Sequence, residues 1–152
     1  MAKTQAVAAA ERAGVAFRIH SYEHDPKRES FGLEAVDKLG LDAARVFKTL
    51  VVDSQGRLGI AIVPVTSQLD LKALGKRVAM ADPHAAERAT GYVLGGISPL
   101  GLRHQLPTTI DESALDHDTI FVSAGRRGVE IELDPKDLVR LTRADVRPIT
   151  RR

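Results

Sequence analysis

The sequence predicts an α+β fold in which short helices flank a mixed, largely antiparallel sheet. One observation is a pair of apolar, β-rich runs at residues 46–53 and 58–65, separated by the turn-forming residues 54–57, which is the pattern of a β-hairpin. The other is the irregular mixture of strand and helix patterns, whereas a doubly wound parallel sheet needs strict βαβ alternation. We treat residues 1–152 as a single domain, because no repeat, low-complexity stretch or linker interrupts them.

The helices are predicted from the residues at their ends. Glycine after an apolar helical pattern favours a left-handed cap, and Asp-Pro places an N-cap before a proline in the first turn. The predicted helices are residues 2–13 before Gly14, 33–39 before Gly40, 69–74 before Gly75, 83–89 after Asp82 and 135–141 after Asp134. The remaining predicted strands are residues 16–22, 108–110, 119–123, 129–133 and 146–149. In the first of these, Phe17, Ile19 and Ser21 share one face of a half-buried strand.

The composition excludes several kinds of site. The chain has no cysteine, which excludes a thiol nucleophile, a cysteine-based metal site and disulfides. No apolar run approaches the ~18–20 residues of a membrane helix, and the N-terminus lacks a signal-peptide core. We therefore expect a cytoplasmic protein with no membrane partner, and no cofactor is indicated.

The charge is nearly balanced, with 22 basic and 20 acidic residues. This balance permits RNA binding without arguing for it. Arginines crowd the C-terminus, either as a solvated tail or as a surface that contacts phosphate. They are Arg140, Arg143, Arg147, Arg151 and Arg152.

Lys48 is the first candidate for a functional side chain. It lies inside a strand pattern whose own face otherwise shows Val46, Leu50 and Val52. An ammonium group on an apolar face is unfavourable unless it is paired, neutral or open to a pocket. A lysine that protects a strand edge, or that extends past its neighbours to solvent, gives the same pattern. The pattern alone leaves both interpretations open.

Residues 91–101 form a second candidate, a segment with four glycines whose backbone can turn sharply and approach a ligand. The spacing from Gly96 to Gly101 is that of a phosphate-binding loop. However, Leu102-Arg103 stands where that motif needs lysine followed by serine or threonine, so a nucleoside triphosphate site is not expected. Either the amide N–H groups hold a carbonyl oxygen or phosphate, or the segment is a structural turn.

Two polar segments supply weaker candidates. His20 and His24 are four residues apart on a strand end, where they do not form the one-sided pair that a metal needs on a helix, so no metal site is predicted. Arg126 and Arg127 lie in a glycine-flanked turn suited to phosphate. In the next strand, residues 130 and 132 are glutamates on one face, which is typical of a solvated strand face.

Seven segments, taken together and in chain order, carry a family resemblance. They are Tyr22-Glu23-His24-Asp25, Val46-Phe47-Lys48-Thr49-Leu50, Gln68-Leu69-Asp70-Leu71-Lys72, Met80-Ala81-Asp82-Pro83, Thr90-Gly91-Tyr92, Gly95-Gly96-Ile97-Ser98-Pro99-Leu100-Gly101 and Arg127-Gly128-Val129-Glu130-Ile131-Glu132-Leu133. The chain thereby resembles the YbaK-type aminoacyl-tRNA deacylases from about residue 15 to residue 140. This family is related to the editing domain inserted in bacterial prolyl-tRNA synthetases. The Gly-Gly-Ile-Ser-Pro-Leu-Gly loop and the Lys-Thr strand are specific in combination.

The resemblance implies a trans-editing hydrolase that cleaves the ester between a wrong amino acid and the 3′ end of tRNA. It is most similar to members that clear cysteine from proline tRNA, so the expected substrate is Cys-tRNA(Pro), and prolyl-tRNA synthetase is a candidate partner. An aminoacyl ester is already activated, so orientation and oxyanion stabilisation supply much of the rate without a protein nucleophile. In this family the thiol of a cysteinyl substrate is proposed to attack the carbonyl and expel the tRNA.

The resemblance also implies site residues. The strand lysine, Lys48 here, is essential in the family and is thought to hold the tRNA end. Five residues match positions that line the substrate pocket in the family: Tyr22, Phe31, Thr49, Gly101 and Ser123. We expect Ser98 of the glycine-rich loop to bind the substrate as well. Glu130 stands where close relatives often have aspartate, and the extra methylene is expected to reshape the pocket. We predict that the loop, including Gly96 and Gly101, donates N–H groups to the carbonyl oxygen while Lys48 fixes the terminal nucleotide.

Other functions remain open from the sequence. A deacylase for alanine or another small amino acid keeps the reaction class, and preference for the alanyl ester would identify it. A non-catalytic homologue would bind tRNA or a synthetase without hydrolysing the ester. A small-molecule binding protein would use Lys48 to pair a carboxylate ligand, and would bind amino acids without tRNA.

Overall fold

A computed structural model of the protein describes residues 3–28 and 31–151. Its α-helices are α1 (Gln5–Ala13), α2 (Phe31–Leu39), α3 (Leu71–Leu74), α4 (Pro83–Thr90) and α5 (Pro135–Thr142). Its strands are β1 (Phe17–Ser21), β2 (Phe47–Ser54), β3 (Arg57–Pro64), β4 (Gln68–Leu69), β5 (Val78–Met80), β6 (Thr108–Asp111), β7 (Ile120–Arg126), β8 (Val129–Leu133), β9 (Asp145–Arg147) and β10 (Thr150–Arg151). Two 3₁₀ turns, Ala43–Arg45 and Glu112–Asp116, precede β2 and β7.

The described strands form three sheets. A five-stranded sheet has the order β5-β2-β3-β6-β9, in which β2 runs antiparallel to β5 and β3, while β6 runs parallel to β3 and β9. A three-stranded antiparallel sheet has the order β1-β8-β7, and β10 pairs with β4. A bridge between Val46 and Phe121 joins the two larger sheets. The predicted α+β fold with a mixed, largely antiparallel sheet is confirmed, with its strands divided among three sheets.

The helix ends follow the predicted signals. Gly14 and Gly91 adopt left-handed conformations after α1 and α4, with φ values of 70° and 81°. Asp82 and Asp134 accept hydrogen bonds from the first turns of α4 and α5, each of which begins with proline. The aspartates accept N–H groups of the first turn, and the glycine N–H groups donate to carbonyl oxygens of the last turn. A helix leaves such end groups without internal partners, which is why the ends are readable from sequence.

The core lies on both faces of the five-stranded sheet. On β3, Ile60 and Ile62 join the larger cluster, while Ala61 and Val63 join the smaller one, as the period of two in a strand requires. Burial of both faces accounts for the nearly continuous apolar sequence of β3. The larger cluster also receives side chains from α1, α4, α5 and the three-stranded sheet, so it connects the two larger sheets.

Two of the predicted strands differ from the structure in detail, the short strand β5 was not predicted, and the helix predicted over residues 69–74 begins at Leu71, after β4. Ile19 is 37% exposed, because β1 is an edge strand that pairs only with β8 within the described residues. Residues 146–149 are not one strand, since β9 ends at Arg147 and Ile149 is fully buried beyond it. The N–H of Ile149 donates to the side chain of Asp111 at the end of β6, Oδ1 at 3.0 Å, in place of a backbone ladder bond.

Gly101 is predicted to be required for folding. Its φ is +65°, and a Cβ there would lie 2.4 Å from the carbonyl oxygen of Gln5 in α1. Gly14 has a similar φ of +70° with nothing within 4 Å of the added carbon, so it is a matched control. We expect Gly14→Ala to lower the free energy of unfolding by ~1–2 kcal/mol, the ordinary penalty for a left-handed residue. We expect Gly101→Ala to lower the free energy of unfolding clearly more than Gly14→Ala, as measured by urea denaturation, or to yield no folded protein. Equal losses would show that the contact with α1 is unimportant.

Candidate active site

A cavity of about 450 Å³ brings most of the predicted site residues together. Its walls are β2, the segment after β1, the start of α2, the β5–α4 region, residues 94–97, and the β7–β8 hairpin. The predicted residues that line it are Tyr22, Lys48, Thr49, Ser123 and Glu130. These positions are up to 108 residues apart in sequence, and the two larger sheets assemble them.

The cavity is open on β2 because the neighbouring strand is short. β5 pairs only with Val52, Asp53 and Ser54, at the end of β2. The earlier part of β2, residues 47–51, lines the cavity through both alternating sets of positions. Both interpretations of Lys48 therefore hold in part: it lies on a stretch of strand with one ladder partner, and that stretch opens into a cavity.

Lys48 and Thr49 present polar groups to this cavity. In the described part of the chain, Lys48 Nζ makes no hydrogen bond or ion pair, and burial lowers its pKa below the ordinary value. Thr49 Oγ1 is buried and has no hydrogen-bond partner among the described residues. A buried hydroxyl without a protein partner is unfavourable, and a polar ligand would satisfy it.

Glu130 is buried, which overturns the interpretation of residues 130 and 132 as a solvated face. Only 7% of Glu130 is exposed, and burial raises its pKa to about 8, so most of it is a neutral acid at pH 7. Glu132 instead accepts a hydrogen bond from Thr119 Oγ1 at 2.6 Å and pairs with His20 and Arg45. Burial alone would raise the pKa of Glu132, but these contacts outweigh burial and lower it. The alternating pattern identified a common face but not the elements that cover it.

Tyr22 closes another side of the cavity. Its N–H donates to the carbonyl oxygen of Gly128 at 2.9 Å, which places the segment after β1 against the β7–β8 turn. Burial, with a smaller contribution from the carboxylates of Glu130 and Glu34, raises the pKa of Tyr22 to about 12. Its phenol is therefore protonated at any physiological pH and can act as a hydrogen-bond donor.

The glycine-rich loop reaches the cavity at Gly95 and Ile97. The N–H of Gly96 already donates to Val93 O at 2.9 Å, and a Cβ there would lie 3.1 Å from the backbone nitrogen of Arg127. Gly96 thus permits close packing between the loop and the β7–β8 turn. Ser98 is fully buried and accepts the N–H of Leu100 at 3.2 Å.

Gly101 lies away from this cavity, against α1, where it lines a smaller depression of about 210 Å³. Gly96 and Ser98 are likewise absent from the described lining of the main cavity. Their predicted roles remain predictions, and the structure gives each a packing or hydrogen-bonding role within the loop. Phe31 begins α2, and its predicted side-chain contact lies outside the described part of the structure.

The sequence prediction missed the apolar and basic lining at the mouth. Met80 and Leu94 line the cavity with 50% and 39% of their surface exposed. Arg126 and Arg127 line it from the β7–β8 turn, and Arg127 donates to Leu94 O at 2.8 and 3.2 Å. Their sequence positions were noted for phosphate binding, but nothing local connected them with Lys48. The turn and the glycine-rich loop thus form one continuous wall.

Other kinds of site have less support. Within residues 3–28 and 31–151, no three His, Asp or Glu side chains gather as a metal site would require. None of the helices in these ranges combines the length and apolarity needed to cross a bilayer.

The two glutamates of β8 are predicted to give opposite pH dependences of stability. Because the folded-state pKa of Glu130 is raised from 4.5 to about 8, the unfolded chain binds fewer protons between these values, and this contribution to stability falls as pH rises. As pH rises from 5 to 9, the free energy of unfolding of Glu130→Gln should therefore increase relative to that of wild type by on the order of 3 kcal/mol, as measured by urea unfolding. Glu132→Gln is the control. Because the pKa of Glu132 is lowered in the folded state, its contribution to stability is present at pH values above its ordinary pKa of 4.5 and is lost as pH falls below it. The same pH trend in both variants would contradict the different environments.

Comparisons with known proteins identify the family of the chain. Residues 28–141 match the family model of the aminoacyl-tRNA editing domain. EbsC of Enterococcus faecalis, provisionally named a Cys-tRNA(Pro)/Cys-tRNA(Cys) deacylase, is 37% identical over 97% of this chain and 93% of its own length. YwhH of Bacillus subtilis, which is uncharacterised, is 29% identical over 69% of this chain and 70% of its own.

Solved structures show the same fold. The crystal structure of a protein provisionally described as a trans-editing enzyme for prolyl-tRNA synthetase matches with a TM-score of 0.85 and 24% identity, over 97% of this chain and 96% of that one. The structure of hypothetical protein APE2540 matches with a TM-score of 0.84 and 24% identity, over 97% of this chain and 100% of that one. Since the family model covers three quarters of the sequence and a curated relative aligns along nearly all of it, the chain belongs to the aminoacyl-tRNA editing domain family.

Proposed function

We propose that this protein is a trans-editing hydrolase that deacylates mischarged tRNA, with Cys-tRNA(Pro) as its substrate. The observation that carries the proposal is the convergence of Lys48, Thr49 and Glu130 on one cavity in a chain of the editing family. The provisional name of EbsC, which is 37% identical, supports cysteine as the amino acid. A volume of about 450 Å³ suits a small-molecule site and holds an aminoacyl group with part of the terminal nucleoside.

Lys48 is proposed to hold the terminal nucleotide through its phosphate or sugar. Its ammonium has no protein partner in the described part of the chain, so it is available to an anionic or hydroxyl-bearing ligand. Arg126 is exposed on the cavity lining and adds a second positive charge at the mouth. This placement leaves the ester carbonyl close to the glycine-rich loop.

The loop supplies candidate donors for the carbonyl oxygen. Gly95 and Ile97 line the cavity, and their N–H groups donate to no protein acceptor within the described residues. Gly96, by contrast, already uses its N–H within the loop. We therefore assign the oxyanion-stabilising role first to Gly95 and Ile97. Orientation and this stabilisation are sufficient in kind for an activated ester, whose leaving group is the 3′ oxygen of the tRNA.

With a cysteinyl ester, the substrate's thiol is proposed to provide the nucleophile. Its sulfur forms a bond to the carbonyl carbon, the ester C–O bond breaks, and the thiol proton passes to the departing 3′ oxygen. Water then hydrolyses the resulting thioester ring to cysteine. The protein's part is to hold the ester carbonyl and the tRNA end in the orientation that the reaction needs. This role requires no protein thiol, and the chain has no cysteine.

Partners and setting follow from the same proposal. Residues 1–152 act as one editing domain in the cytoplasm, where aminoacyl-tRNA is used. The net charge of +2 is modest for a protein that selects a tRNA unaided, so prolyl-tRNA synthetase is proposed to contribute the tRNA selectivity.

The first experiment measures release of labelled amino acid from Cys-tRNA(Pro) and Ala-tRNA(Pro). Wild type should hydrolyse the cysteinyl ester faster, and Lys48→Ala should lose at least ~10²-fold in kcat/KM because the reacting end is no longer held in place. Lys76→Ala, which removes an exposed lysine outside the cavity lining, should retain activity. Full activity in Lys48→Ala would refute the role of Lys48.

The two substrates also distinguish the alternatives. Preference for the alanyl ester would keep the deacylase reaction and change the amino acid that is removed. The first cause to test would then be the extra methylene of Glu130, through Glu130→Asp. Binding of tRNA by wild type without hydrolysis of either ester would favour a non-catalytic tRNA-binding protein.

A further inference from the structure

A buried carboxylate outside the cavity lining holds the segment that carries Tyr22. Glu34 of α2 is fully buried. Its Oε1 contacts His24 Nδ1 at 2.6 Å, and its Oε2 accepts the N–H of Asp25 at 2.8 Å and lies 3.4 Å from Lys38 Nζ. A buried carboxylate is stable only when its oxygens are paired in this way. Although burial opposes ionisation, these contacts lower the pKa of Glu34 to about 2.

The partners of Glu34 all belong to α2 itself or to the segment of residues 22–25. Lys38 also donates to the carbonyl oxygen of Glu23, so both α2 side chains hold the same stretch of backbone. This stretch has no strand pairing of its own after β1 ends at Ser21. The contacts to Glu34 and Lys38 tie this segment to α2.

The same segment is pressed against the β7–β8 turn. The N–H of Tyr22 donates to Gly128 O, and a Cβ on Gly128 would lie 2.7 Å from the carbonyl oxygen of Tyr22. On its other side, Gly32 of α2 lines the cavity and packs so tightly on Val65 that a Cβ there would lie 2.3 Å from Val65 Cγ1. Glu34 thus ties the segment that carries Tyr22 to the helix that carries Gly32. Tyr22 is in close contact with the backbone of Gly128, and Gly32 with the side chain of Val65.

We propose that Glu34, acting with His24, is a positioning residue. It fixes the part of the cavity wall formed by Tyr22 and by Gly32, and thereby sets which amino acid side chains the site accepts. Glu34 itself does not line the cavity, so it acts through Tyr22 rather than on the substrate. This inference rests on the proposed deacylase function. Displacement of a reacting group by ~1 Å can cost ~10²-fold in rate, so a small shift of this wall is sufficient to affect both rate and selectivity.

The test substitutes Glu34 by Gln, which keeps its size but removes its charge and replaces one of its two acceptor oxygens by an NH2 donor, so the contacts to His24 and to Asp25 N–H are no longer both made to a carboxylate. We expect kcat on Cys-tRNA(Pro) to fall at least ~10-fold with KM within about twofold, because contacts to the tRNA body are unchanged. Hydrolysis of correctly charged Pro-tRNA(Pro) should rise relative to Cys-tRNA(Pro). Asp37→Asn is the matched control, an exposed acid on the same helix that pairs with Arg28 at 3.0 Å, and it should behave as wild type.

Hydrogen exchange separates this inference from the proposed function. In Glu34→Gln the amide of Asp25 should lose protection while the β2 and β3 amides keep theirs. If wild type hydrolyses no aminoacyl ester, the proposed function fails, and the exchange result still tests whether Glu34 holds the segment. Unchanged kcat, unchanged selectivity or unchanged exchange at Asp25 in Glu34→Gln would overturn the positioning role.

A second pair of variants guards against a Glu34→Gln protein that does not fold. His24→Ala removes one partner of Glu34, whereas His24→Asn keeps a donor close to the position of Nδ1. Restoration of rate and selectivity by His24→Asn relative to His24→Ala is expected. Equal defects in both, tracking a lower melting temperature, would indicate a purely structural role and overturn the inference.

Discussion

The pairing of β2 with β3 is the interaction on which the rest of the structure depends. It aligns eight residues of each strand, from Phe47 opposite Pro64 to Ser54 opposite Arg57. β3 is buried on both faces between the two core clusters, so β2 is attached to the core of the molecule. A side chain on such a strand is held more accurately than one on a loop. Lys48 and Thr49 share this support, although each lacks a hydrogen-bond partner in the described structure.

The other walls of the cavity are irregular segments, and each is fixed by a different device. The segment after β1 is tied to α2 by the carboxylate of Glu34. Arg127 bonds the carbonyl oxygen of Leu94, and the missing side chain of Gly96 lets the glycine-rich loop approach the β7–β8 turn. Loops without such contacts are mobile, and a site built on them would lose definition. Here the polar contacts provide for the loops what strand pairing provides for β2.

The sequence was informative wherever structure is determined locally. Asp82-Pro83 and Asp134-Pro135 marked helix starts, and the β2–β3 hairpin followed from its apolar runs and turn. The exposure of Ile19 and the burial of Glu130 could not be predicted in this way, because period-two alternation states which residues share a face but not what covers it. The three-residue strand β5 gave too little pattern to detect, yet its shortness is what leaves β2 open to the cavity.

For the site, five of the predicted residues line one cavity. In the glycine-rich loop, Gly95 and Ile97 line it as well, whereas Gly96 and Gly101 do not, and their predicted roles remain predictions. A glycine pattern reports that the backbone must come close to something. It does not report whether that neighbour is a ligand or the protein itself. In this chain Gly101 approaches α1 and Gly96 approaches the β7–β8 turn. The family resemblance pointed to a segment that reaches the cavity, and packing in three dimensions separates the residues that line the cavity from those that pack against other parts of the protein.

The burial of Glu130 also makes the cavity more positive than the nearly balanced charge of the whole chain suggests. With a pKa of about 8, Glu130 is mostly neutral at pH 7 and so does not offset the positive charges of Lys48, Arg126 and Arg127 on the same lining. A net charge of only +2 therefore conceals a cavity whose ionised side chains are all basic. Field concentrated in a cleft with low-dielectric walls attracts an anionic ligand more effectively than the same charge spread over a surface. In the proposed function, this is how a nearly neutral protein presents a positive site to the phosphate-bearing end of a tRNA.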